Sequence, residues 1–378
     1  MEFLKNFDPE LTVDSPGRIN IIGEHTDYNM GYVLPTAIEK KIIFKFQKNG
    51  SDKICHVYSK GYDKGFKLSL DKIEISKVEW ENYILGVLNE IAKRTDKLRG
   101  FDCTLESHVP IGSGVSSSAA LECGLAFGLN EMFNLGLSKM DIVELSQAAE
   151  HTYAGTKCGI MDQFASVMSK KGHVILLDCE SLEFSYIPMH IEPYKIVLLN
   201  TNVSHNLASG EYNVRRSQCE EGVAVLQKKY PEVKSLRDAT MDMLNSVKND
   251  LDITVYNRCS YVIQEKSRVL EAVESLKKDN LKRVGELLYE THDGLSKKYE
   301  VSCPELDFLV EFSKKYETVL GARMMGGGFG GCTINLVHED AINDFVKAAT
   351  KAYENEYNLK LSWFEASPSQ GTSIITDS

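Results

Sequence analysis

No run of about 18 apolar residues occurs in the 378-residue chain, which excludes a membrane-spanning helix of ordinary length. The opening Met1-Glu2-Phe3-Leu4-Lys5-Asn6 lacks the basic start and apolar stretch of a secretory leader, so a cytoplasmic protein is expected. Positive charge is in short supply too: 43 Lys+Arg stand against 54 Asp+Glu, a formal net charge of -11. Chains that neutralise nucleic-acid phosphates or anionic membranes are usually basic, so neither partner is expected. Nine cysteines are present, but none forms a Cys-x-x-Cys pair and the number is odd. A chain of this length does not need disulfide staples, and reduced, mostly buried thiols are expected. There is no internal repeat, no low-complexity tract and no motif for a protein partner. What is present is ordinary globular composition, 43% hydrophobic and 26% charged. A small anion could still be held by a local site.

Strand and helix signals are mixed along the chain. Residues 41–47 (Lys-Ile-Ile-Phe-Lys-Phe-Gln) are rich in strand formers, Asn49-Gly50 offers a hairpin turn, and 54–59 reads as the returning strand. Further strands are predicted over 66–70, 101–107, 173–178, 195–200, 333–337 and 361–366. Leu121, Leu125, Leu129 and Met132 share one face, predicting an amphipathic helix over 119–133. The same periodicity recurs near 80–94, 138–152, 213–229, 255–277, 281–299, 305–316 and 339–355. No regular strand-helix-strand series points to a doubly wound sheet, so the expected class is α+β. The first 200 residues are strand-rich and 205–320 nearly all helical, which suggests two domains, 1–185 and 186–378.

Three loops can carry chemistry. In Gly17-Arg18-Ile19-Asn20-Ile21-Ile22-Gly23-Glu24-His25-Thr26-Asp27-Tyr28-Asn29, β-branched residues lead into a polar run. Alone it is a surface loop or a polyol-binding loop, whose carboxylates and imidazole could bond sugar hydroxyls. Arg18 lies between a Pro-Gly turn and a strand. In Gly112-Ser113-Gly114-Val115-Ser116-Ser117-Ser118, glycines let backbone N–H groups approach an anion and serines open a helix whose N-terminus favours negative charge. A simple serine-capped helix is the alternative, and no Gly-Lys-Ser/Thr follows, so it is not a Walker loop. The third, Gly326-Gly327-Gly328-Phe329-Gly330-Gly331, runs straight into a hydrophobic strand, as a linker seldom does. It suggests close backbone approach. A fourth segment ends a helix at Glu150 and sets Asp162 in a short turn among Ile160, Met161 and Phe164, the better candidate for a partly buried functional carboxylate.

Together these segments resemble the GHMP small-molecule kinases. Within that family, residues 17–29 are similar to the signature of the galactokinases, and Cys158-Gly159-Ile160-Met161-Asp162-Gln163 and Ser209-Gly210-Glu211-Tyr212-Asn213-Val214-Arg215-Arg216 match as well. The resemblance implies a two-domain α+β fold with its active site between the domains. It implies ATP-dependent phosphorylation of the anomeric hydroxyl of α-D-galactose, giving galactose 1-phosphate. Glu24, His25, Thr26, Asp27, the backbone of Gly159, and Tyr212 would then hold the sugar. Asp162 would approach the reacting hydroxyl with Arg18 beside it, while Ser118 and Glu150 would reach Mg²⁺. Residues 112–118 would wrap the nucleotide phosphates, and Ser59 and Trp80 would lie near the adenine. Met30 departs from the family's pattern and could narrow access. Two rival readings accompany this one: a kinase for N-acetylgalactosamine or galacturonate, and a non-catalytic sensor of galactose and ATP. The uninterrupted Ser116-Ser117-Ser118-Ala119-Ala120 favours an active enzyme.

Overall fold

Residues 1–110, 112–204 and 208–376 are described by the computed structural model. Ile111 of the glycine-serine loop and residues 205–207 of the expected helical stretch lie outside the described residues. Among the described residues the architecture is α+β, built on three sheets. The largest runs in the order Ser373–Ile374, Leu11–Asn20, Pro35–Lys48, Phe101–Ser107, Ile54–Ser59, Lys64–Ser69. Ile42, Phe44 and Phe46 point from it into the core, as alternation on a half-covered sheet requires.

Helix Ser117–Phe133 lies on that buried face, flanked by helices Glu79–Ala92 and Lys139–Ala149. It was expected to be amphipathic but is buried nearly all round, because sheet and helices enclose it. Gly124 and Gly128 allow its close seat. A Cβ on either would come within 2.3 Å of Phe44 or 2.1 Å of Phe46.

The expected hairpin at Asn49-Gly50 does not form. Strand Phe101–Ser107 inserts between the two strands, antiparallel to Pro35–Lys48 and parallel to Ile54–Ser59. Asn49 instead donates from Nδ2 to the Ile54 carbonyl at 3.0 Å and to Asp102 at 2.8 Å, so the turn residue serves a wider connection. The local signal was sound turn chemistry; the strand that filled the gap comes from far along the chain.

A second sheet, ordered Val319–Met324, Gly330–His338, Tyr194–Ser204, Ser362–Ala366, carries helices Leu281–Gly294, Pro304–Ser313 and Ile342–Tyr357. A small third sheet joins Tyr32–Val33, His173–Asp178 and Phe184–Pro188. Strands Leu11–Asn20 and Val319–Met324 and helix Met161–Met168 carry site residues but were not among the predicted elements. The chain's end returns to the first sheet through Val13 opposite Ile374, so the last strand sits with the N-terminal half. All nine cysteines are free and eight are buried. Among the described residues no helix is long and apolar enough to cross a membrane.

Candidate active site

The polar loops converge on a cavity of about 110 Å³ in which Arg18, Glu24, Asp27, Asp162 and Tyr212 meet. Contrary to expectation, Arg18 does not follow a Pro-Gly turn. Pro16 and Gly17 lie within strand Leu11–Asn20, where the register slips between Pro16 and Arg18. Such a bulge re-aims a side chain. A Cβ on Gly17 would stand 2.6 Å from the Val115 carbonyl, and the Arg18 N–H donates to that same oxygen at 3.0 Å. The strand is thereby stitched to the phosphate-loop candidate.

Asp162 is not in a turn either. It occupies the first turn of helix Met161–Met168, where the helix dipole favours a carboxylate. Arg18 grips it with two parallel bonds, Nε to Oδ1 at 2.7 Å and Nη2 to Oδ2 at 2.9 Å. Nη1 of Arg18 donates to the Gly114 carbonyl at 2.6 Å. Burial opposes the charge on Arg18, yet Asp162, Glu24 and Asp27 together push its pKa up.

Loop 112–118 winds through left-handed backbone at Gly112, Gly114 and Ser116 (φ +73°, +75° and +56°) before the helix begins. Ser116 precedes the helix but does not cap it; its hydroxyl donates to Asp162. Ser113 is buried and bonds back to the Pro110 carbonyl at 2.7 Å, shaping the loop. The third glycine segment rests on this loop backbone to backbone: a Cβ on Gly326 would meet the Gly114 carbonyl at 3.1 Å, and one on Gly331 would meet Ser113 at 3.2 Å. The glycine enrichment therefore serves contact between two loops, the close approach expected of it.

In the polar loop, Glu24 is 1% exposed and accepts at one oxygen, Oε1, from Arg323 at 2.9 Å and from the Gly326 N–H at 2.9 Å. Asp27 lies flush against Gly159, where a Cβ would come within 2.0 Å of the carboxylate. Burial, followed by the nearby Asp162, pushes the Asp27 pKa up to about 7. Thr26 departs from expectation, while His25 lines the cavity with both ring nitrogens engaged. The Gly327 carbonyl can only accept, so His25 Nε2 donates to it at 3.2 Å and Nδ1 accepts from Tyr28 at 2.8 Å. The imidazole is thus committed to the protein and forms a wall; burial lowers its pKa to about 4, so it is neutral. Thr26 turns its hydroxyl inward, toward the Gly23 and Tyr32 carbonyls at 2.8 and 2.7 Å, and holds the loop's shape. Met30 is 41% exposed and does not line the cavity.

Glu150 follows helix Lys139–Ala149 and opens one π-helical turn, as π-bulges often do at functional sites. Ser118 donates to its Oε1 at 3.3 Å, and Gln163 Nε2 to its Oε2 at 2.7 Å. Burial and then Asp162 raise the Glu150 pKa to about 7. Behind it stands Glu122, 0% exposed, whose pKa burial pushes well up. Glu150 and Ser118 offer two hard oxygen donors of the kind a Mg²⁺ would accept.

Ser117 and Ser118 also face a larger, mostly apolar pocket of about 430 Å³ bounded by Ser59, Trp80, Tyr83 and Leu105. Trp80 is stacked on Tyr62 and met edge-on by Phe66. The structure thus gathers the candidates into a small polar cavity and an adjoining flat-walled pocket, with loop 112–118 at their junction. Sequence reasoning missed Arg323, Gln163 and Glu122. A lone arginine in the apolar Val319-Leu320-Gly321-Ala322-Arg323-Met324 was the available signal for the first.

Comparison with known proteins agrees with this geometry. Residues 1–48 match the galactokinase galactose-binding signature, 82–170 the GHMP kinases N terminal domain, and 272–355 the GHMP kinases C terminal. Galactokinase of Thermosipho africanus is 40% identical over 366 residues, spanning 97% of this chain and 100% of that protein. Galactokinase of Clostridium perfringens (strain SM101 / Type A) is 38% identical over 98% of this chain and 97% of its own. The crystal structure of Lactococcus lactis galactokinase complexed with galactose superposes with a TM-score of 0.94 at 34% identity, covering 98% of this chain and 97% of that one. With the signature, the domains and full-length relatives in agreement, the chain belongs to the galactokinases of the GHMP kinase family.

Proposed function

We propose that this protein transfers the γ-phosphoryl group of ATP to the anomeric hydroxyl of α-D-galactose, yielding galactose 1-phosphate and ADP. The observation that carries the reading is the Arg18–Asp162 fork, set 2.7 and 2.9 Å apart in the polar cavity and bonded to loop 112–118. The sugar occupies the polar cavity, with the free oxygen of Glu24, Asp27, the Gly159 backbone and Tyr212 as its partners. Adenine occupies the pocket beside Trp80 and Ser59. The phosphates follow residues 112–118, where backbone amides and the N-terminus of helix Ser117–Phe133 neutralise charge without adding a cation. Ser118 and Glu150 would hold Mg²⁺, which supplies charge neutralisation on the phosphates when bound.

Asp162 orients the anomeric hydroxyl and receives its proton as the oxygen–phosphorus bond forms. Arg18 keeps that carboxylate fixed and offsets charge on the transferring group. Two units would act as the walls of the cleft; the expected boundary between 185 and 186 falls inside strand Phe184–Pro188, which pairs with His173–Asp178, so it moves beyond that strand, and the terminal strand returns to the first unit. A coupled assay for ADP release across a panel of sugars tests the reading. Galactose should be the preferred substrate; preference for N-acetylgalactosamine or galacturonate, or binding without ADP release, overturns it. Asp162→Ala should lower kcat by about 10²–10⁴-fold while both substrates still bind. Near-wild-type turnover in that variant also overturns it.

A further inference from the structure

The polar loop is held from the far half of the chain as well as from its own. Arg323 is 0% exposed on strand Val319–Met324, yet its guanidinium reaches the loop: Nε donates to the Ile21 carbonyl at 2.9 Å, Nη2 to the Asn20 carbonyl, and Nη1 to Glu24 at 2.9 Å. From helix Ile253–Lys277, Tyr261 donates to the Glu24 carbonyl at 3.0 Å, and Glu265 accepts from the Gly23 N–H at 2.9 Å. Glu265 is itself 0% exposed, fixed by Arg268 at 2.6 Å and Thr291 at 2.9 Å. Gly23 has φ +103°, and a Cβ there would strike the Tyr32 carbonyl at 2.8 Å, so the backbone at this bend has little room to move.

We infer that Arg323, with Tyr261 and Glu265, is a clamp of positioning residues that sets sugar affinity from the C-terminal half of the chain. The inference rests on the proposed role of Glu24 as a sugar ligand. A carboxylate 1% exposed needs a paired cation, and Arg323 supplies one while consuming only Oε1. Oε2 has no hydrogen bond to a described residue, and Glu24 lines the cavity, so that oxygen is left for a hydroxyl. The two carbonyl bonds from the same guanidinium fix the backbone on which Glu24 sits. Lysine, a single point charge, cannot make this fork.

The test is steady-state kinetics on the full chain for Glu24→Gln, Arg323→Lys, Tyr261→Phe and the double variant Glu24→Gln/Arg323→Lys, with thermal melts confirming folding. Arg323→Lys should raise the galactose KM by about tenfold or more, and Tyr261→Phe by about threefold, while the ATP KM stays within about twofold. Adding Arg323→Lys to Glu24→Gln should cost less than it does in the wild type, since the two act through one contact. A folded Arg323→Lys protein with unchanged galactose KM, or with both KM values rising together, overturns the clamp. Should Arg323→Lys not fold, the same split in Tyr261→Phe decides. Glu24→Gln separates the two readings. An unchanged galactose KM there removes Glu24 as sugar ligand and the clamp with it; a raised KM there, with the clamp variants at wild-type values, removes the clamp alone.

Discussion

A carboxylate taken out of water needs a cation, hydrogen-bond donors or a proton, and the cleft uses all three. Asp162 has Arg18, Glu24 has Arg323 and the Gly326 N–H, and Asp27 and Glu150 are pushed toward protonation, each to about 7. Asp27 makes the consequence measurable. Its pKa in the fold lies above its ordinary 3.8, so the folded state binds the extra proton between about 4 and 7, and stability from this group falls as pH rises through that window. Asp27→Asn removes that cost. Its Tm should exceed that of the wild type most clearly above pH 7, by about 2 °C or more, with the gap shrinking as pH falls toward 4. Parallel melts of the ligand-free proteins check this, and a gap independent of pH contradicts it. At this scale the acidic residues were legible, because Glu-His-Thr-Asp and Met-Asp-Gln are dense local patterns. The arginine that holds Glu24 was not: nearly three hundred positions separate the two, and no local rule pairs them.

Among the elements, helix Ser117–Phe133 carries the last serines of the loop proposed to hold phosphate, and its seat depends on two glycines facing phenylalanines. Gly128→Ala would press a methyl to within 2.1 Å of Phe46, costing about 1–3 kcal/mol of stability as the helix is lifted from the sheet. That displacement should also raise the ATP KM, since Ser117 and Ser118 move with the helix; urea unfolding and kinetics read the two effects. Ser138→Ala offers the contrast. It removes the reciprocal cap with Asp141 at the start of helix Lys139–Ala149, should cost about 1 kcal/mol, and should leave the ATP KM unchanged. Helices and strands with strong periodicity were legible, including strands Ile54–Ser59, Phe101–Ser107 and His173–Asp178 at their predicted bounds. Strand Leu11–Asn20 was not, since Pro16-Gly17 reads as a turn and only a bulge against a neighbouring strand lets it continue.

The whole molecule is closed by its own end. Thr372, 2% exposed, bonds through its hydroxyl to Ser15 at 2.9 Å and to the Ser166 carbonyl at 2.9 Å, and the Gly371 N–H donates to Ser169 at 2.9 Å. These contacts seat helix Met161–Met168, which carries Asp162, against the strand that carries Arg18. Deleting residues 367–378 should therefore cost about 3 kcal/mol or more and lower kcat more than the ATP KM changes; a truncated chain with wild-type Tm and kcat contradicts this. Taken alone, the sequence determined the α+β class, the three loops, the family resemblance and most of the acidic site, because each is written in contiguous residues. Its net charge of -11 led to the expectation of no polyanion partner, and in the proposed reading phosphate would be met by loop amides, a helix N-terminus and one arginine instead. Tertiary structure decided which strands are neighbours, that the His25 imidazole meets the Gly327 carbonyl, and that a buried arginine from the far half fixes Glu24. Those outcomes depend on pairings between distant residues, whose free energy exists only once the chain has brought them together.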